Sequence, residues 1–261
     1  MNRIHAPDGT LLVYDAYEPP GPPAPAETAL LLFHGWCEAA DRWHETATHL
    51  LAAGLPVYVL DQRGHGRSGG RRAHLSRFSQ LLGDLQAFRR AVRRRRDVPQ
   101  VLVGQGFGGL VVLRYLETQP GEPPAGAVVA NPWLAPRRAP SAWKRMAARF
   151  ADLWPTLRTG SGSDLMTAGA RAELNWARRA VLADRARIES PLLFVLSGLD
   201  ERLDTDTARS FAEGLDAPAE VCWYREAGHD LWMRAVGNRV AKDVVAFTQR
   251  IRSSDRHRPD E

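Results

Sequence analysis

The chain has 261 residues, of which 44% are hydrophobic and 25% are charged, a size and composition typical of one large globular α/β domain. A core of that size is stable without disulfides or a metal, and no stretch approaches the ~18 consecutive apolar residues of a membrane span. The net charge of +5 comes mostly from arginine. We expect the run Arg93–Arg96 to be a solvated helix end, because no nucleic-acid-binding motif accompanies it.

Two further features predict the surroundings of the protein. Residues 1–7 lack the apolar run of a signal peptide, and Cys37 and Cys222 have no metal or redox spacing. We therefore expect free thiols in a reducing compartment, the cytoplasm, with no metal and no cofactor bound. We expect no nucleic-acid partner and at most a weak association with anionic membrane surfaces.

Strand and helix patterns alternate in chain order. Asp8-Gly9 is a tight-turn dipeptide, which predicts an opening β-hairpin. This hairpin and the short apolar runs that follow give the predicted strands 2–5, 10–17, 29–33, 55–60, 101–103, 127–130, 191–196 and 221–224. Helical spacing of apolar residues gives the predicted helices 43–53, 75–95, 110–117, 207–214 and 238–251. The alternation predicts an α/β fold with a mostly parallel central sheet and helices on both faces.

Residues 134–189 break this alternation and are predicted to form a short helical cap that is inserted into the sheet domain. The insertion carries an amphipathic aromatic stripe that consists of Trp143, Met146, Phe150 and Trp154. The predicted organisation is a core of residues 1–133 and 190–251, the cap, and a disordered polar tail at 252–261.

The corner after the strand at 101–103 is rich in glycine. Its sequence, Gly104-Gln105-Gly106-Phe107-Gly108-Gly109, has the spacing of the nucleophile elbow Gly-x-Ser-x-Gly, in which a serine occupies a strained strand-to-helix turn. Gly106 stands where the serine belongs. The sequence therefore predicts a nucleophile elbow that lacks its nucleophile.

Backbone donors are expected at the carboxyl ends of two strands, where open α/β sheets bind ligands. The segment His34-Gly35-Trp36 follows one strand, and a backbone N–H there can point at a substrate oxygen. The N–H of Phe107, at the start of the helix after the elbow, is the second candidate donor.

Acid and base candidates follow two later strands. Asp200 and His229 each come soon after a predicted strand. The chain order elbow, Asp200, His229 is the order of nucleophile, acid and base in the α/β-hydrolase fold. Asp204 is the alternative acid, but it lies further from the end of its strand.

One stretch resembles a known family. Residues 57–74, Val-Tyr-Val-Leu-Asp-Gln-Arg-Gly-His-Gly-Arg-Ser-Gly-Gly-Arg-Arg-Ala-His, resemble the monoacylglycerol lipase and lysophospholipase branch of the α/β hydrolases. The helix segment 78–88 also resembles that branch, and the likeness covers roughly residues 10–133 and 190–251. The resemblance implies an α/β-hydrolase fold, and carboxylester hydrolysis by a serine on a small acyl ester or another lipid-like ligand. It also implies that Trp36 and Phe107 are the oxyanion donors, and that Asp200 and His229 are the acid and the base.

The sequence departs from this family in two places. The family elbow reads Gly-His-Ser-Met-Gly-Gly, whereas the corner here has Gln105, Gly106 and Phe107, and the cap insertion is shorter. The aromatic stripe has two open interpretations, which are contact with an acyl chain and plain packing against the core. The residues predicted to bind substrate are His34, Gly35, Trp133 and Trp143.

Glycine at position 106 is expected to be harmless to the fold and severe for catalysis. It adopts a strained corner without a Cβ clash, whereas loss of the serine costs about 10⁶-fold in turnover. Three interpretations stay open: an inactive or slow hydrolase in which His229 activates a water, a binding protein without turnover, and a normal hydrolase into which Gly106 was introduced. Ser68 and Cys37 are poorer nucleophiles, since Ser68 suits a turn and Cys37 lacks an evident basic partner.

Overall fold

The computed structural model describes residues 1–23, 28–118, 122–137, 146, 156, 158–159, 165–232 and 234–255. The strands are β1 (Asn2–His5), β2 (Leu11–Tyr17), β3 (Ala29–Phe33), β4 (Val57–Asp61), β5 (Gln100–Gln105), β6 (Gly126–Ala130), β7 (Arg158–Thr159), β8 (Met166–Thr167), β9 (Leu192–Ser197) and β10 (Ala219–Tyr224). The helices are α1 (His44–Ala52), α2 (Phe78–Arg95), α3 (Phe107–Thr118), α4 (Ala168–Ala183), α5 (Thr205–Glu213) and α6 (Arg234–Asp255). Short 3₁₀ turns at Ala40–Trp43 and Arg185–Arg187 lie before α1 and after α4.

Eight of these strands form one sheet in the order β1-β2-β4-β3-β5-β6-β9-β10. The β1–β2 and β2–β4 pairs are antiparallel, and every pair from β4 to β10 is parallel. Parallel strands have both faces covered, which explains why Ala29–Phe33 is apolar and buried throughout. The predicted α/β fold with a mostly parallel sheet is confirmed.

Helices pack on both faces of this sheet. Leu31 and Phe33 belong to the core layer under α2, α3, α4 and α5, whereas Leu30 and Leu32 belong to the layer under α1 and α6. Successive strand residues point to opposite faces, so one buried strand contributes to both layers.

The register of the parallel strands brings their carboxyl ends to one edge of the sheet. Phe33 pairs with Gly104, and Gln105 pairs with Ala130. Ala130 pairs in turn with Val195 on β9. Residues that follow these strands therefore meet at one edge, although they are far apart in the sequence.

Two helices are longer than the sequence predicts. α3 begins at Phe107 and passes through Gly108, where a Cβ would lie 2.1 Å from the carbonyl oxygen of Phe33. Glycine at this position lets the helix approach the neighbouring strand and does not end it. α6 continues through residues 252–255, beyond the predicted start of a disordered tail, because Ile251 packs in the core and Ser253 Oγ donates to the carbonyl of Gln249. Residues 256–261 lie outside the described residues.

The insertion at 134–189 contains more than helices. β7 and β8 form an antiparallel pair of two residues each, and α4 follows directly. Thr167 caps α4, since its Oγ1 accepts a hydrogen bond from the N–H of Ala170. Of the aromatic stripe, Met146 is exposed, while Trp143, Phe150 and Trp154 lie outside the described residues. The division into core and cap stays a prediction.

The arginine run at the end of α2 is not uniformly solvated. Arg93 is half-exposed, but Arg96 is buried and its guanidinium donates to the carbonyl of Gly21. Arg95 forms an ion pair with Glu18. The prediction of a solvated helix end is therefore wrong for Arg96, which holds the segment after β2 against the helix. Among the helices that the structure describes, none is both long and apolar enough to span a membrane.

Candidate active site

The corner between β5 and α3 has the geometry of a nucleophile elbow with glycine at its apex. Gly106 has φ +52°, in the left-handed region that glycine enters without a Cβ penalty. Its N–H donates to the carbonyl of Ala130, and its carbonyl accepts from the N–H groups of Leu110 and Trp133. The backbone of residue 106 is thus fixed by β6, by α3 and by the segment after β6.

The space above Gly106 is open. Outside residues 105–107, the atoms nearest to a Cβ at this position would be Cε1 and Nε2 of His229, both at 3.8 Å. The next atom is the carbonyl oxygen of Asn131 at 4.0 Å. A side chain at residue 106 would therefore point at the imidazole of His229 without a clash.

His229 is oriented by Asp200. Its Nδ1 lies 2.7 Å from Oδ2 of Asp200, whose carboxylate is fully buried. The other carboxylate oxygen accepts from the backbone N–H groups of Arg202 and Leu203. Because the carboxylate accepts from Nδ1–H, Nε2 keeps its lone pair on the side of Gly106.

The pKa of Asp200 lies below its ordinary value. Burial alone would raise this pKa, but the hydrogen bond and charge of His229, with the two backbone N–H donors, outweigh burial. The alternative acid, Asp204, precedes α5 and accepts a hydrogen bond from the hydroxyl of Thr207. Between the two carboxylates, Asp200 is the partner of His229.

Two residues that were not predicted to be site residues hold the main chain of His229. Nε2 of Gln105 and Nδ2 of Asn131 donate to the carbonyl of His229 over 2.9 and 3.2 Å. Asn131 has φ +40° and also bonds Ser197 through both ends of its amide. Gln105 stands beside the elbow glycine and Asn131 directly follows β6, so position at a strand end was the available signal.

The loop after β3 is held together by hydrogen bonds of its own predicted site residues. His34 is fully buried, with Nδ1 donating to the carbonyl of Gly35 and Nε2 accepting from the N–H of Gln62. Burial lowers the pKa of His34, which favours the neutral ring. The N–H of Gly35 donates to the carboxylate of Glu38. His34 and Gly35 therefore shape the loop, and their contact with a substrate stays a prediction.

The two residues predicted to supply the oxyanion donors are in side-chain contact. The rings of Trp36 and Phe107 are perpendicular with centroids 5.0 Å apart, and Nε1 of Trp36 donates to the carbonyl of Leu165. Within the ranges that the structure covers, neither backbone N–H is paired with an acceptor. Both residues are buried, Trp36 at 8% and Phe107 at 1% exposure.

Of the remaining candidate site residues, one lies next to the β5–α3 corner and two have supporting roles in loops. Trp133 is half-buried and its N–H bonds the carbonyl of Gly106. Ser68 accepts from the N–H of Val13 and donates to the carbonyl of Asp61, which is the role of a turn residue. Cys37 has φ +63° and lies 3.7 Å from the carbonyl oxygen of Leu165. In the described part of the chain, no group of three or more His, Cys, Asp and Glu side chains is arranged to hold a metal.

Comparisons with known proteins give relatives of one kind. A family model described as serine aminopeptidase, S33 (Hydrolase_4), matches residues 24–179, more than half of the chain. Monoacylglycerol lipase from Mycolicibacterium smegmatis is 39% identical over 115 residues, 44% of this chain and 40% of the lipase. Lysophospholipase L2 from Escherichia coli is 28% identical over 140 residues, 51% of this chain and 41% of that protein. The chain thus matches less than half the length of these two relatives.

The fold is also shared with a solved structure. The crystal structure of monoacylglycerol lipase from Paleococcus ferrophilus has a TM-score of 0.80 and 21% identity to this chain, over 92% of this chain and 99% of that one. At that level of identity the similarity is one of fold.

Proposed function

The chain belongs to the α/β-hydrolase family described as serine aminopeptidase, S33, and from that premise we propose that it binds a lipid-like acyl ester at the carboxyl edge of its sheet and hydrolyses it slowly or not at all. One observation carries this proposal. His229 is paired with Asp200, and its Nε2 lies 3.8 Å from where a Cβ at residue 106 would stand, yet residue 106 has no side chain.

The proposed roles follow from this geometry. The ester carbonyl oxygen accepts from the N–H groups of Trp36 and Phe107, which stabilise the negative charge that develops on it. Asp200 holds the tautomer of His229 that has Nε2 free, and this nitrogen takes a proton from a water above Gly106. The water attacks the carbonyl carbon directly and gives a tetrahedral intermediate. As this intermediate collapses, the ester C–O bond breaks and His229 returns its proton to the departing alcohol, which leaves the free acid, so no acyl-enzyme forms.

The magnitudes place this reaction far below that of a serine enzyme. Removal of the nucleophile from a serine triad costs about 10⁶-fold, and binding with an oxyanion hole retains roughly 10³–10⁴ over water. A positioned general base contributes ~10²–10⁴. The highest turnover expected of this site is therefore slow hydrolysis.

The proposed ligand is a monoacylglycerol-like ester. The relatives carry the names monoacylglycerol lipase and lysophospholipase, and half-buried Trp133 is hydrogen-bonded through its N–H to the carbonyl of Gly106. A second candidate function, binding without turnover, is favoured by the same corner, because the backbone donors remain while the nucleophile is missing. The cytoplasmic location and the lack of a nucleic-acid partner stay predictions from the sequence.

The test uses the natural chain and two histidine variants. A fluorophosphonate probe should leave the protein unlabelled, and labelling would contradict the claim that it has no serine nucleophile. Hydrolysis of short p-nitrophenyl esters should be faster with the natural chain than with His229→Ala, whereas His49→Ala, an exposed histidine on α1, should change nothing. Equal rates for the natural chain and His229→Ala would reject water activation in favour of binding alone.

A further inference from the structure

Asn131, the residue that directly follows β6, lies between the segments that carry the acid and the base. We propose that it is a positioning residue, which fixes where the imidazole of His229 stands relative to residue 106. It does so by joining the loop of His229 to the strand that leads to Asp200. The consequence for turnover rests on the proposed function, whereas the position of the ring does not.

The side-chain amide of Asn131 bonds both segments. Its Nδ2 donates to Oγ of Ser197 over 2.8 Å and to the carbonyl of His229 over 3.2 Å. Its Oδ1 accepts from the N–H of Ser197 over 3.0 Å. A backbone N–H only donates and a backbone carbonyl only accepts, so these bonds fix which end of the amide is nitrogen. Asn131 is fully buried, so bulk water does not compete for them.

Ser197 connects this amide to the acid. It is the last residue of β9, and the turn that carries Asp200 begins there. The carbonyl of Ser197 accepts from Oγ1 of Thr205, the first residue of α5, so the start of this turn is also held from its far side. The amide of Asn131 therefore bonds the base loop to the root of the turn that presents the acid.

The backbone of Asn131 places the amide beside the corner. Its N–H donates to the carbonyl of Val195 on β9, and its carbonyl oxygen lies 4.0 Å from where a Cβ at residue 106 would stand. Its φ of +40° lies in the left-handed region, which asparagine enters more readily than most residues with a Cβ. Glycine would adopt this conformation with less strain, so the hydrogen bonds of the amide are what asparagine contributes here.

The position of His229 is set at two points. Its Nδ1 lies 2.7 Å from Oδ2 of Asp200, and its carbonyl accepts from Nε2 of Gln105 as well as from Asn131. Gln105 belongs to β5, whereas Asn131 also bonds the strand that leads to the acid. The base is thus tied to the acid directly through its ring and indirectly through Asn131. Loss of the amide removes the second tie and should let the ring move relative to residue 106.

Crystal structures of the natural chain and two variants test this role without any activity measurement. Asn131→Gly keeps the left-handed backbone and removes the amide. Asn131→Ser is a second neutral variant, whose hydroxyl is one bond too short to reach the carbonyl of His229. In each, the ring of His229 should move relative to residue 106 by more than the ~0.5 Å within which a site group must be held. A ring that keeps its place in either folded variant would overturn the proposal.

NMR on the same proteins provides a second readout. The Nδ1 proton of His229, held by Asp200, should give a low-field resonance in the natural chain. Its exchange with water should be about tenfold faster in both Asn131 variants, which is the order of change expected from one lost buried hydrogen bond. Asn175→Ser, which removes a half-buried amide on α4, should leave the resonance unchanged. An undisturbed resonance in a folded Asn131 variant would contradict the positioning role.

Kinetics in a Gly106→Ser background separate positioning from a general loss of structure. Adding Asn131→Gly should lower kcat for p-nitrophenyl esters by roughly 10–10²-fold, because the base is displaced, and leave KM unchanged. A rise in KM with kcat unchanged would overturn the assignment. If Gly106→Ser itself turns over no ester, the proposed function fails, and the ring positions still decide the role of Asn131.

Discussion

Replacing Gly106 with serine should convert the corner into a working nucleophile site. The Cβ of the new residue would lie 3.8 Å from Nε2 of His229, and a hydroxyl one bond further reaches the ~2.6–3.2 Å at which a serine and its base interact. Because Asp200 already holds the imidazole, turnover of p-nitrophenyl esters should rise by up to ~10⁶-fold, and a fluorophosphonate should label the protein at residue 106.

The same substitution should cost little stability. At φ +52° a residue with a Cβ is less stable than glycine by about 1–2 kcal/mol, which corresponds to a fall in Tm of about 2–8 °C. Gly9→Ser is the matched control, since Gly9 has φ +82° and open space around it but lies in the β1–β2 turn. It should show a comparable fall in Tm and no labelling. A folded Gly106→Ser protein that neither labels nor hydrolyses esters would refute the inference that Asp200 and His229 are competent.

Three other variants test the surrounding structure. Arg63→Met leaves the buried carboxylate of Asp84 without the guanidinium that binds both of its oxygens. The free energy of unfolding, measured with urea, should fall by about 3–5 kcal/mol, and a fall of less than about 1 kcal/mol would contradict this account. Burial, together with repulsion from His34 once that ring is also protonated, lowers the pKa of His65 to about 3. The stability that His65 contributes should be complete above pH ~6.5 and fall by about 1.4 kcal/mol per pH unit toward pH 3, and His65→Phe should flatten that slope. Asp200→Asn in the serine variant should lower kcat by ~10⁴, and unchanged kcat would show that the carboxylate does not set the tautomer.

The fold was predictable because the inner parallel strands, β3, β4, β5, β6 and β9, are buried on both faces. Ala29–Phe33 is continuously apolar for that reason, and its predicted bounds are those of the structure. The corner at Gly106 was predictable from the spacing of its glycines. Gly108 lets the helix approach β3 closely, and Gly106 has a positive φ that residues with a Cβ rarely adopt. These features are local, so a single sequence records them.

The supporting contacts of the site were not predictable in the same way. Gln105 and His229 are 124 residues apart, and no periodicity relates them. His34 was predicted to contact a substrate because it follows a strand, but its environment depends on Gln62 in the next βα loop. In the sequence, Arg96 is one more residue of a basic run. It is a buried hydrogen-bond donor only because the chain at Gly21 passes next to it in the fold. The two-residue strands β7 and β8 are too short to leave a pattern.

Because glycine relaxes the backbone at residue 106, the stability of this protein and its catalytic rate depend very differently on that residue. Serine and glycine differ there by orders of magnitude in expected turnover, but by only about 1–2 kcal/mol in folding. Selection for a folded chain therefore distinguishes the two residues far less than selection for turnover does. A lineage can move from one to the other in a single step without passing through a misfolded intermediate, and neither the yield nor the melting temperature of a related chain reports whether its site turns over.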